Sequence, residues 1–335
     1  MNLRSLIAIA ALAAPAALGL AACGGAADTK DASASTGSGK KLSLVAYSTP
    51  QVAYDQLIPA FQQTAAGRGV GFNESFGASG EQSRAVVAGL PADVVTFSLQ
   101  PDVERLVKAG LVDGNWASNR YHGIVTKSVV TFIVRQGNPK HIHTWDDLVK
   151  PGVQVLTPNP FTSGAAKWNL LAAYGAKGLG YVRELITKHV KVQDKSGREA
   201  LQSFLSGTGD VLLSYENAAK TAQLKGEKLD YVIPDKTIQI ENPIAVVAKS
   251  KQRAEAQAFV NYLLSPPAQR VFAKWGYRPV NAQVWRAVAS RFPTPKGLFT
   301  IGSLGGWKVA DAKFFDPKTG LIAKIERAAG VSTAK

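Results

Sequence analysis

The chain has 335 residues, with 39 Lys plus Arg against 24 Asp plus Glu and a formal net charge of +15. Apolar residues make up 46% and charged residues 19%, a globular balance that excludes wholesale disorder, and the length suits about two domains or lobes. One cysteine excludes an intramolecular disulfide, a Cys-based zinc site and an iron–sulfur cluster. Only His122, His141, His143 and His189 are available for a His-rich metal centre, and a lone Met1 excludes a Met-lined copper site.

Residues 1–22 are expected to be a secretory leader. Arg4 and the amino terminus give a positive start, and Leu6 to Leu20 is an Ala-rich apolar stretch too short to span a bilayer comfortably. The leader ends Leu20-Ala21-Ala22-Cys23, which resembles a bacterial lipobox. That resemblance implies that Cys23 is lipidated and opens the mature chain. An ordinary leader followed by an incidental Cys is the alternative. Residues 23–40 hold no large apolar side chain and are expected to form a flexible tether. The mature chain keeps a charge of about +14, suited to anionic lipid or small anions, or simply to a solvated basic surface. An exported chain without basic–aromatic interleaving is not a nucleic-acid binder.

In chain order, Leu42–Tyr47 is a short apolar strand ending at Ser48-Thr49-Pro50. Tyr54, Leu57, Ile58 and Phe61 follow at helical spacing. Val70–Phe76 is a strand ending at Gly77-Ala78-Ser79-Gly80, with a helix from Ser83 to Gly89. Ala92–Phe97 is a buried strand, and Pro101 opens a helix where proline is tolerated. Strands are expected at Val129–Arg135, Val153–Leu156, Val190–Gln193, Val211–Tyr215, Tyr231–Ile233 and Ile244–Ala248. Helices are expected around Trp168 and Leu171, then at Arg198–Leu205, Glu216–Lys225, Ala254–Leu264 and Pro267–Trp275, before a less regular end. This alternation marks a mostly parallel α/β architecture.

Four loops at the carboxyl ends of strands open into helices through small polar residues. They are Ser48-Thr49, Gly77-Ala78-Ser79-Gly80, Thr162-Ser163-Gly164-Ala165 and Ser196-Gly197-Arg198. Ligands of open α/β sheets bind at that edge, and helix N-termini favour anions. Plain capping by Ser and Thr is the competing account of each loop taken alone. The loop centres offer amides and hydroxyls, with Tyr215 nearby, and no carboxylate; Glu81 and Glu199 lie just beyond. An all-donor pocket suits sulfate, a full acceptor, whereas monohydrogen phosphate would also want a buried acceptor.

At these loops the sequence resembles the sulfate-binding subfamily of ABC-transporter solute-binding proteins, over about residues 42–315. The resemblance is carried by Thr157-Pro158-Asn159-Pro160, Thr162-Ser163-Gly164, Trp168-Asn169 and Leu171-Ala172-Ala173. It is carried further by Gly77-Ala78-Ser79-Gly80, Ala92-Asp93-Val94-Val95-Thr96, Arg135-Gln136-Gly137-Asn138-Pro139-Lys140, Gly209-Asp210-Val211-Leu212 with Glu216-Asn217, and Tyr277-Arg278-Pro279. It implies a two-lobed periplasmic-binding-protein-like α/β fold of type II, with mixed, mostly parallel sheets and a ligand cleft between lobes. The lobes would be 41–130, 131–248, and a first-lobe return with C-terminal helices over 249–335. Crossovers would lie near Lys127 to Arg135 and Pro243 to Ala248, and the lobes would close by hinge motion.

Carried over residue by residue, backbone amides of Ser48, Ser79, Gly164, Ala165 and Gly197 would bind dehydrated sulfate. The hydroxyl of Ser163 would donate too, and Tyr215 would take the place of an indole donor. Arg198 would neutralise or position the helix start behind Gly197. Ser48, Ala165 and Tyr215 depart from the family's usual Asp, Gly and Trp, and Tyr215 bears most on the choice among sulfate, thiosulfate and molybdate. The resemblance implies no cofactor, no metal and no catalytic residue. It implies a monomer anchored outside the membrane through Cys23 and served by a permease and an ATPase. Two other classes compete with this reading. A hydrolase would need Ser79 as nucleophile, but Glu81 stands where a nucleophile elbow needs Gly, and no His has a triad context. A structural surface lipoprotein would expose an aromatic patch, to which Trp145, Trp275, Trp285 and Trp307 could contribute.

Overall fold

The structure is a computed structural model that describes residues 28–31 and 40–334. The expected leader, Cys23 and most of the expected tether lie outside the described residues. The chain enters through β1 (Asp28–Asp31), then β2 (Lys41–Tyr47), α1 (Gln51–Gln62), β3 (Gly71–Gly77), α2 (Ser79–Val87), β4 (Val94–Thr96) and α3 (Gln100–Lys108). β2 lies between β3 and β4 and is parallel to both. Leu42, Leu44 and Ala46 pack into one cluster with Tyr54, Phe61 and Phe72. Val45 points the other way, into a cluster with Val95, Phe97 and Leu106. A strand covered by helices on both faces is buried on both, so its sequence is a continuous apolar run.

Four residues of the expected flexible tether over 23–40, Asp28–Asp31, form β1. It pairs antiparallel with β3, Asp28 opposite Phe76 and Asp31 opposite Asn73. A polar segment can add to an open sheet edge because the main chain supplies the bonds.

The second lobe runs through β5 (Ile124–Arg135), β6 (Val155–Leu156), α4 (Gly164–Lys177), α5 (Leu179–Glu184), β7 (Val190–Val192), α6 (Gly197–Leu205), β8 (Val211–Tyr215), α7 (Glu216–Leu224), β9 (Leu229–Val232) and β10 (Lys236–Val246). β5 and β10 join the lobes. The first half of β5 pairs antiparallel with Gln239–Pro243, and its second half pairs with β8 and β9. β10 then reaches the first sheet, Ile244 opposite Thr96. The second crossing starts at Lys236, earlier than the expected Pro243, and Ile238 and Ile240 along it are fully buried.

α8 (Arg253–Leu263) and α9 (Pro266–Lys274) return to the first lobe, where Phe259 packs 5.1 Å from Phe61. The rest of the segment 249–335 does not stay there. β11 (Arg278–Pro279) pairs with β5, α10 (Ala282–Val288) follows, and β12 (Gly297–Phe299) pairs with the start of β10. α11 (Gly306–Ala310) and α12 (Leu321–Ala328) lie on the second lobe, where Trp307, Phe314, Phe315, Ile322 and Ile325 join Phe132, Trp168 and Leu212. The Trp168 and Trp307 rings meet edge to face at 4.6 Å. Trp145 and Trp307 are therefore core residues rather than parts of a surface patch.

Candidate functional site

Each of the four loops singled out by sequence sits at a helix start. α2 begins at Ser79, four residues before the expected Ser83, and its N-cap is Ala78, which has no side chain to cap with. Ser163 is the N-cap of α4, yet its hydroxyl makes no capping bond. Only Ser196, before α6, caps in the usual way, accepting from the amide of Glu199 at 3.2 Å. First-turn amides have no partner within a helix. Among the described residues, those of Ser79, Gly164, Ala165 and Gly197 find no acceptor elsewhere either. Capping thus explains one loop and leaves the others with donors to spare.

The loops converge. The amide of Gly80 donates to the carbonyl of Thr162 at 3.0 Å, joining the starts of α2 and α4 across the lobes. A side chain at Gly80 would put its Cβ 2.8 Å from that carbonyl oxygen, so the approach requires glycine. A Cβ on Gly164 would stand 2.8 Å from Ser98 Cβ and from Leu99, and one on Gly197 would meet Ala165 at 3.6 Å. Arg198 Nη2 donates to the carbonyl of Ser48 at 2.6 Å, which brings the end of β2 to the start of α6. Ser48, Ser79, Ser163 and Gly164 are buried, while Ala165, Gly197 and Arg198 are half-buried. All eight expected site residues therefore belong to one neighbourhood between the lobes, with Tyr215 joined through Ser98.

Sequence reasoning missed Ser98. Its Oγ lies 2.5 Å from the Tyr215 hydroxyl. Its amide donates to Ser79 Oγ at 2.9 Å, and its carbonyl accepts from Trp168 Nε1 at 2.9 Å and Asn242 Nδ2 at 3.1 Å. A single hydroxyl between Phe97 and Leu99 carries no loop signal. Tyr215 is the N-cap residue of α7 and fully buried. Burial pushes its phenol well above the ordinary tyrosine value, and the Ser98 bond acts in the opposite sense. Burial raises the phenols of Tyr47 and Tyr277 as well. The Tyr215 hydroxyl beside Ser98 therefore stays protonated at physiological pH.

Asp102 was also missed, and it qualifies the all-donor description. This buried carboxylate accepts from Ser79 Oγ at 2.6 Å and from Arg105 Nη1 at 2.9 Å. Both oxygens are thus occupied, and the Ser79 hydroxyl is spent, leaving its amide for a ligand. Arg84, Arg105 and Lys167 line the same small crevice beside Ser163. Glu81 and Glu199 are exposed. No histidine among the described residues bonds to Ser79, and His189 is turned to the carbonyl of Val153.

Two α/β lobes, tied by a pair of crossing strands and closed over converging helix starts, define a two-lobed solute-binding protein. Comparison with known proteins agrees. The chain belongs to the bacterial extracellular solute-binding proteins, whose family profile matches residues 42–278. It is 40% identical to a sulfate-binding protein of Synechococcus elongatus, over 97% of each chain. A thiosulfate-binding protein of Pseudomonas aeruginosa is 34% identical, over 81% of this chain and 88% of that one. Among solved structures, the sulfate-binding protein SubI from Mycobacterium tuberculosis superposes with a TM-score of 0.81 at 48% identity, covering 83% of this chain and all of that one. The fold is thus that of the periplasmic binding proteins, and family membership places the protein outside the cytoplasm.

Proposed function

We propose that the protein captures sulfate between its lobes and delivers it to an ABC importer made of a permease and an ATPase. The observation that carries this is the meeting of helix starts whose amides have no acceptor, at Ser79, Gly164, Ala165 and Gly197, in a buried cleft. First-turn amides that no acceptor occupies hold a dianion by directed N–H groups and by the helix dipole, with the charges of Arg84, Arg105 and Lys167 in the adjoining crevice. Ser48 adds an amide, Ser163 adds a hydroxyl, and the Ser98–Tyr215 pair closes the floor. Arg198 positions the α6 start by holding Ser48. The protein acts by binding and release rather than by turnover.

Sulfate-binding relatives at 39–40% identity favour sulfate over thiosulfate, which is named in a relative at 34%. The test is thermal stabilisation of the purified chain by sulfate, thiosulfate, molybdate and phosphate. A ligand at 100 times its dissociation constant adds about 2.7 kcal/mol. Stabilisation by sulfate and not phosphate is expected. A preference for thiosulfate or molybdate would revise the ligand, and no response to any of the four would reject the oxyanion site.

Anchoring belongs to the same proposal. The chain would be held to the membrane by lipid on Cys23, after removal of residues 1–22. Cys23→Ala should leave the protein unlipidated, read by mass spectrometry of the membrane fraction. An unlipidated wild-type protein with the same start would reject the anchor.

A further inference from the structure

We propose that Ser98, rather than Tyr215, is the residue through which this side of the pocket meets the anion: Tyr215 donates to Ser98 Oγ, and the Ser98 hydroxyl proton goes to the ligand. The proposal rests on the oxyanion reading above and assigns one of its contacts.

The first argument is a proton count. Two hydroxyl oxygens 2.5 Å apart share one hydrogen bond and own two protons. Among the described residues neither hydroxyl has another acceptor, and both side chains are buried. One O–H is therefore left unspent in a buried place, which is costly unless something accepts it. A sulfate oxygen is such an acceptor.

The second argument decides which proton is spent inside the pair. A phenol, with an ordinary pKa of about 10, is a far stronger acid than a serine hydroxyl and so the better donor. Tyr215 then gives its proton to Ser98 Oγ, and the Ser98 proton remains. Donation from Tyr215 also polarises the serine O–H and strengthens its own bond onward.

The third argument is position. Ser98 stands between the starts of α2 and α4: its amide bonds to Ser79 Oγ, and it lies against Gly164. Its carbonyl is fixed by Trp168 and Asn242, so the side chain is held where those two amide clusters meet. The Tyr215 ring instead packs in the second-lobe core with Phe132 and Leu213. Ser98 follows β4 in the first lobe and Tyr215 ends β8 in the second, so the pair forms only when the lobes close. Ser98 is a ligand contact in this account and Tyr215 a positioning residue.

The test is a double-mutant cycle on sulfate affinity, measured by titration calorimetry on wild type, Ser98→Ala, Tyr215→Phe and the double variant. Ser98→Ala should weaken binding roughly ten- to hundredfold, since it removes a donor to a charged acceptor. Tyr215→Phe should cost less than about tenfold, as it removes a neutral bond. The double variant should bind like Ser98→Ala alone, because Tyr215 acts only through Ser98. Ser98→Cys, of similar size and with a weak donor, should fall between wild type and Ser98→Ala, and it carries the comparison if the alanine variant does not fold. A Tyr215→Phe loss equal to or larger than that of Ser98→Ala, an additive double variant, or wild-type affinity in Ser98→Ala would each overturn the assignment. Wild-type protein that binds neither sulfate nor thiosulfate overturns the pocket reading itself, and shows it before any variant is compared.

Discussion

Arg198 Nη2 donates to the carbonyl oxygen of Ser48 at 2.6 Å, so the first turn of α6 in one lobe is tied to the end of β2 in the other. The bond uses the carbonyl of Ser48 and leaves its amide for the ligand, and it joins residues of two different lobes. It should therefore act on release more than on capture. Arg198→Ala is predicted to raise the sulfate dissociation rate by about tenfold, near the low end for a hydrogen bond to a charged group because the side chain is half-exposed. Association should change little. Arg198→Lys should recover part of the effect, since it keeps the charge and loses the fork. Stopped-flow kinetics separate the two rates, and an unchanged dissociation rate would remove the latch role.

Ser163 tests a different property, donation without shape change. Its hydroxyl sits at the α4 N-cap and caps nothing. Ser163→Ala should weaken sulfate binding by about 1.5–3 kcal/mol and leave the ligand-free melting temperature nearly unchanged. An ordinary capping serine would show the reverse, a loss of about 1 kcal/mol in stability with affinity intact. Calorimetric titration and a thermal melt on the same sample decide between them.

Gly164 makes the complementary prediction. Its Cβ would sit 2.8 Å from Ser98 and Leu99, both in the first lobe, while Gly164 itself opens α4 in the second. Gly164→Ala keeps every amide and hydroxyl but obstructs closure. Overpacking of this kind costs about 1–3 kcal/mol. The cost should fall on the closed state, in which Gly164 meets Ser98 and Leu99 across the lobes. Small-angle scattering should then find the variant still open at sulfate concentrations that close the wild type. A variant that closes and binds normally would mean that Ser98 or Leu99 gives way.

The parts of this site that were legible are those where a short polar run follows an apolar strand, as at Ser163-Gly164 and Ser196-Gly197. There the polar run that follows the strand also starts the helix and presents the amides. Ser98 and Asp102 were not legible. One is a hydroxyl inside an apolar strand end, and the other is an acid in a first helical turn, where acids are common for dipole reasons alone. β1 escaped because edge pairing needs no apolar side chain. The C-terminal segment read only as a less regular end, because its short helices carry too few turns to show a period, and Trp307 and Phe314 are seen to be buried against the second lobe only in the structure.

Two stretches noted separately in the sequence turn out to be partners across 62 residues. Arg278 Nε donates to Glu216 Oε2 at 2.7 Å, and both side chains are almost wholly buried. Burial pushes the Glu216 carboxyl up, and Arg278 pulls it back. Removing one member of such a pair leaves the other charge uncompensated, at a cost of about 3–5 kcal/mol. Glu216 would keep only Lys220, whose Nζ lies 3.8 Å from Oε1, so Arg278→Ala should destabilise the protein near the low end of that range in chemical denaturation. Replacing both residues with apolar ones of similar size should cost much less. Equal losses in the single and double variants would show that packing, not charge, is what Arg278 supplies.

Glu326 should give the protein a stability that falls as pH rises. It is fully buried on α12, and its Oε2 accepts from Gln193 Nε2 at 2.8 Å, four residues before Gly197. Its Oε1 has no partner among the described residues. Burial pushes its carboxyl up to about 7, while the Gln193 bond pulls the other way. An unfolded glutamate titrates near about 4.3. The folded state therefore holds the proton more tightly. This contribution is complete below the unfolded value, declines as pH rises through the folded one, and is flat beyond. A shift of this size corresponds to something on the order of 3 kcal/mol across the window. Glu326→Gln keeps an oxygen for Gln193 and cannot ionise, so it should melt higher than wild type at pH 8 and show little slope between pH 5 and pH 7. Melting curves at several pH values test this, and parallel curves for the two proteins would mean that Glu326 is ionised in the folded state throughout.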